Sequence, residues 1–191
     1  MPNRIFQEPP EDIDGTWTHG ALLGGMVGYD DESLARSYFL AGRVLAEHVL
    51  STGDRGQELI CPILYVCRHG IELYLKVILH PAKVNYSLGS LLDALCRHVR
   101  DRYDEKVPEW VTCPITELAQ FDPGSDLFRY GQTRPPDSTH RLIQGGEHWV
   151  DLRVVKRTML ELEYAFMRVL VADTHGLDAL NAIVPRPGLL C

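Results

Sequence analysis

The sequence predicts an all-α fold, an antiparallel bundle of about four long helices. Three observations carry this. Long stretches repeat apolar residues every three to four positions. No set of alternating apolar and polar runs suggests paired strands. Proline and glycine collect between the periodic stretches rather than within them.

Residues 1–30, with Pro9, Pro10 and several glycines, predict an irregular arm. Asp31 and Glu32 suit a helix N-terminus. A first helix follows from Glu32 to Leu50, with Leu34, Tyr38, Ala41, Leu45 and Val49 at helical spacing. The Ser51–Gly56 loop leads to a second helix, Glu58 to His80, with Pro62 near its first turn and Pro81 stopping it. Ser87 to Tyr103 is a third helix, striped by Leu88, Leu91, Leu92, Leu95 and Val99, and Pro114 to Phe121 a short one. Residues 122–147 hold four glycines and three prolines, a long irregular stretch of the kind that carries function. The last long helix runs from Trp149 to Asp173, apolar along Leu152, Val155, Met159, Leu162 and Phe166. The organisation is therefore an arm (1–30), a helical domain (31–176) and a tail (177–191).

Composition excludes several classes. The chain has 191 residues and a net charge of -7, which disfavours tight non-specific binding to nucleic acid. Nineteen basic residues include fifteen arginines, suited to local recognition of phosphate or carboxylate. No apolar run approaches the roughly 18 residues of a membrane span, and the polar, acidic first residues predict no secretory leader. Cys61, Cys67, Cys96, Cys113 and Cys191 form no CxxC pair, so reduced thiols in a cytoplasmic protein are expected, with neither metal nor cofactor. Phosphate-loop, dinucleotide-binding, HExxH and GxSxG patterns are all missing; Gly20–Gly25 is glycine-rich but lacks the lysine.

The second helix is the most informative segment. At 100° per residue, Arg68, Glu72, Lys76 and His69 fall at about 0°, 40°, 80° and 100°, with Tyr65 among them at about 60°. The remaining circumference is apolar, so this helix is expected at the centre of the bundle, with its charges in one narrow stripe. Charges leave water only when paired. Either the stripe is solvated, with Arg68–Glu72 and Glu72–Lys76 as i,i+4 pairs, or it forms a polar network or pocket.

The segment Pro62-Ile-Leu-Tyr-Val-Cys-Arg-His-Gly-Ile-Glu-Leu-Tyr-Leu-Lys76 resembles the P-x-L-Y-x-x-R-H-x-x-E-L-x-L-K element of small bacterial helical proteins of the HEPN superfamily. Asp126-Leu-Phe-Arg129-Tyr130 is similar to the D-x-F-R-Y element that follows in that group. One departure is that Tyr86-Ser87-Leu88 replaces the histidine usual before the third helix. The resemblance implies a helical bundle, frequently a homodimer, that handles RNA or nucleotides in toxin–antitoxin or phage defence, with an antitoxin or other protein as partner. It implies either a metal-independent ribonuclease or a non-catalytic module. On this basis the Asp126–Tyr130 loop is expected to dock over Arg68, His69, Glu72 and Lys76, with Arg129 pairing Glu72. The alternatives are a structural or interaction module, in which the cluster only fixes the loop and the dimer, and a small-molecule sensor with its pocket at the stripe.

Ribonucleases of that superfamily use arginine, four to six residues, then histidine. The chemistry suits histidine as proton donor and acceptor and arginine as phosphate ligand. Arg43–His48, Arg134–His140, Arg141–His148 and Arg168–His175 fit the spacing, where chance alone supplies about two. Arg168–His175, at the end of the last helix, and Arg43–His48 are the catalytic candidates. Asp122 and Asp126 are read as turn or cap residues.

Overall fold

A computed structural model describes residues 6, 11, 20–23, 28–80, 87–130 and 147–176. The chain divides into two compact units at Asp30/Asp31. In the first, the described residues lie outside any helix. The second is built from α1 (Asp31–Thr52), α2 (Gly56–Leu79), α3 (Leu88–Tyr103), α4 (Glu109–Phe121), the single turn α5 (Leu127–Tyr130) and α6 (Leu152–His175). No strand occurs among the described residues. The expected all-α bundle is what the chain forms.

Local chemistry explains most boundaries. Asp31 and Glu32 stand in the first turn of α1, where the exposed amides favour negative charge. Lysine 76's carbonyl receives the amide of His80, which sits at φ 43° and closes α2 just before Pro81. Ser87 Oγ accepts the Ser90 amide and caps α3.

Two starts differ from the sequence expectation. The fourth helix begins at Glu109, not Pro114, because Pro108 takes the extended cap position and Pro114 is tolerated inside, forgoing one backbone bond. The last begins at Leu152, not Trp149: Asp151 accepts the Arg153 amide at 2.9 Å and sets the cap there, leaving Trp149 outside the helix and exposed.

Helices α1 and α2 form an antiparallel hairpin that packs unusually close. A Cβ on Gly42 would come 2.6 Å from Cys67 Sγ, and one on Gly70 2.6 Å from the Phe39 ring, so no side chain fits at either crossing. The core centres on α2. Phe39, Tyr74 and Phe166, all fully buried, bring α1, α2 and α6 together with ring centroids 5.1 to 6.3 Å apart. Each such side chain stabilises the fold by roughly 1.5–3 kcal/mol. Leu91, Leu95 and Ile115 extend the core under α3 and α4. Arg43 pairs with Glu163, and Glu47 with Lys156, along the α1–α6 seam. Among the described residues no helix is long and apolar enough to cross a membrane.

Candidate functional site

The stripe on α2 is partly buried, and a turn from 54 residues further along the chain lies on it. Arg68, only 2% exposed, is the charged residue that α2 sends into the interior. Its Nη1 donates to Ser125 Oγ at 2.8 Å and to Glu72 Oε2 at 3.3 Å. Its Nε faces Asp122 Oδ2 at 3.7 Å, and Asp122 is fully buried. Lys76 Nζ donates to Glu72 Oε1 at 2.7 Å. Charges therefore alternate from the interior outwards: Asp122, Arg68, Glu72, Lys76. Each buried charge meets an opposite one, as burial requires.

Asp122 does two things at once. Its Oδ1 accepts the amides of Asp126 and Leu127, at 2.9 and 3.0 Å, and so starts α5. Its Oδ2 is the counter-charge of Arg68. Ser125 adopts φ 59°, a left-handed backbone that non-glycine residues hold only when their surroundings insist. Its hydroxyl bond to Arg68 is that constraint.

Beside this string lies a layered set of rings. His69 meets the edge of Tyr38 at 4.5 Å and stacks parallel to Tyr65 at 5.9 Å. The exposed Arg129 places its guanidinium 5.8 Å from the Tyr65 ring centre, within cation–π range. Burial lowers the pKa of His69 below its usual value; Lys76, Arg68 and Arg129 lower it further, while Glu72 opposes. The neutral imidazole can thus accept a proton at pH 7, close to two cations able to hold phosphate. Burial pushes the neighbouring Cys67 thiol up to about 12, which removes it as a nucleophile.

The structure brings Arg68, His69, Glu72 and Lys76 together with the turn that carries Arg129. Asp126 is half-buried at the edge of α5. Tyr130 closes α5, and its side chain lies outside the described set. The sequence gives Arg68 no partner beyond Glu72, and it gives Asp122 the turn or cap role that its Oδ1 fills but not the ion pair to Arg68. Nothing in the Asp122-Pro123-Gly124 pattern advertises an ion pair to α2. Tyr38 and Tyr65 were noted at helical spacing, but only the hairpin shows that both flank His69.

The arginine–histidine pairs do not assemble in this way. In α1, Arg43 is directed to Glu163, while His48 is exposed. The two point about 140° apart around the helix. In α6, Arg168 Nη1 donates to the Tyr164 hydroxyl at 3.1 Å. His175 lies two turns beyond it, exposed, about 10 Å further along the axis. Arg134, His140 and Arg141 lie outside the described residues. His148 packs edge-on against Phe121 at 4.9 Å. Among the described residues no group of three potential metal ligands converges. No family model, curated protein or solved structure matches the chain.

Proposed function

We propose that this chain is a HEPN-like module that handles RNA or nucleotides through the patch formed by Tyr65, His69, Lys76 and Arg129, and not through any of the arginine–histidine pairs. The observation that carries this reading is the Arg129–Tyr65–His69 stack. It joins the two resembling sequence elements into one half-exposed surface of rings and cations. Rings of this kind stack on unpaired bases, and guanidinium and ammonium groups hold phosphate. With a net charge of -7, binding depends on these few residues rather than on overall charge.

The test is fluorescence anisotropy with a mixed labelled single-stranded RNA pool and with nucleoside triphosphates, in EDTA. His69→Ala/Arg129→Ala weakens binding at least tenfold with an unchanged melting temperature. Arg43→Ala/His48→Ala and Arg168→Ala/His175→Ala bind as wild type does. Cleavage in EDTA, lost only in the His69 variant, makes the module a ribonuclease with His69 as the proton-transfer group. Equal loss in all three variants, or no binding by the folded protein, sinks the reading.

A second reading is supported by the partners of Arg68. With Asp122, Glu72 and Ser125 all supplied by its own chain, the inner cluster acts as a latch for the 122–130 turn. On this reading the protein is a non-catalytic interaction module. The same experiment separates the two, since a latch alone gives no RNA or nucleotide affinity.

A further inference from the structure

Away from the α2 patch, a cleft of about 690 Å³ opens between α6 and the stretch from the end of α3 to the start of α4. Its size falls in the range of small-molecule sites. Leu95, Val99, Val111 and Val169 give it an apolar wall, and Tyr103, Trp110 and Tyr164 add rings. One end is braced. Asp173 of α6 accepts from His98 Nε2, from Arg102 Nε at 2.9 Å and from the Tyr103 hydroxyl, tying the ends of α3 and α6 together.

Arg168 is the unusual element of this wall. It is half-buried, and its guanidinium is held by the Tyr164 hydroxyl, lying 5.7 Å from that ring's centre. No carboxylate among the described residues makes an ion pair with it, whereas Arg43 and Arg68 each have one. Glu161 also lines the cleft, but it lies two turns earlier, about 10 Å along α6, and is exposed. Glu105 is exposed and adjacent to Lys106, a second cation in the lining. A partly desolvated guanidinium without a counter-ion favours an anion at that end of the cleft.

We propose that the cleft is a binding site for a small organic carboxylate with a ring-bearing apolar body. The body lies against Val99, Val111 and Trp110, and the carboxylate pairs with Arg168. Tyr164 is a positioning residue that fixes the guanidinium. This site is independent of the RNA-handling reading and stands or falls without it.

Calorimetry on the full chain with 4-phenylbutyrate, 4-phenylbutanol and 4-phenylbutylamine tests the assignment. The acid binds at least tenfold tighter than the alcohol, and the amine binds weakest. Arg168→Met, which keeps the length but not the charge, erases the advantage of the acid and leaves the alcohol within twofold of wild type. Ala165→Trp, which fills the cleft, removes binding of all three. His69→Ala/Arg129→Ala leaves acid binding unchanged, which separates this cleft from the α2 patch. The proposal is overturned if the three compounds bind alike, if Arg168→Met retains the preference for the acid, or if none binds at millimolar concentration.

Discussion

Arg68 and Arg168 are both held by their own helices, yet they meet opposite fates. Arg68 sits in the interior with Asp122 and Glu72 as counter-charges. Arg168 is half-buried, hydrogen-bonded to the Tyr164 hydroxyl, and makes no ion pair with a carboxylate among the described residues. A buried cation with two acids contributes to stability, because removing it strands charge. A half-buried cation without an acid has little stability to contribute and is free to recognise something else. Arg68→Ala is therefore expected to cost about 3–5 kcal/mol, and Arg168→Ala under about 1 kcal/mol. Urea unfolding of the two variants measures both values. Comparable costs would dissolve the distinction. Arg68→Met combined with Asp122→Asn should recover part of the loss, since the amide oxygen still accepts the Asp126 and Leu127 amides and no carboxylate is left stranded at 122.

Asp173 stands between these extremes. Its side chain is one-fifth exposed and serves His98, Arg102 and Tyr103 together. Burial, and after it the hydrogen bond to Asp173, push the Tyr103 phenol up to about 12, so it stays a donor throughout the physiological range. Asp173→Asn keeps the shape and removes the charge. It is expected to cost about 1–2 kcal/mol, less than Arg68→Ala because water reaches the cluster. A thermal melt checks it. A cost equal to that of Arg68→Ala would mean that exposure matters less than the number of partners.

Much of the fold could be read from the periodicity of apolar residues, because each long helix shows one face to the core. Both ends of α1 and α2 fall within about two residues of expectation, inside the usual latitude of such boundaries. The starts of α4 and α6 were missed for one reason. The apolar pattern places Pro114 and Trp149 as first helical residues, while the cap at Pro108 and the one at Asp151 decide where amides find acceptors. The α2 stripe is visible as a narrow polar arc, but whether it meets solvent or a polar network is not. The identity of its partners was not visible. Asp122 and Ser125 reach Arg68 only through the path of the chain after α4, and that path depends on packing rather than on local pattern. The ion pair of Arg43 with Glu163 is a contact of the same kind, 120 residues apart, and it redirects an arginine that spacing alone had offered to His48.

The smallest expected effect concerns His69, where the charge of the α2 cluster meets solvent. Burial is the main reason its pKa lies below the usual value; Lys76, Arg68 and Arg129 add to this, and Glu72 opposes them. The folded protein therefore binds this proton less readily than the unfolded chain does. The stability His69 contributes is complete above about pH 6.5, the unfolded value. It is lost progressively as pH falls from there through the lower folded value. His69→Gln should accordingly flatten the decline in melting temperature between pH 7.5 and 5, while leaving the plateau above pH 7 nearly unchanged. Following the ring by NMR sharpens the point: Arg129→Ala should raise the titration midpoint, and Glu72→Gln should lower it. If neither substitution moves the midpoint, the imidazole does not sense the arginine of the docked turn, and the patch that joins the two sequence elements loses its electrostatic unity.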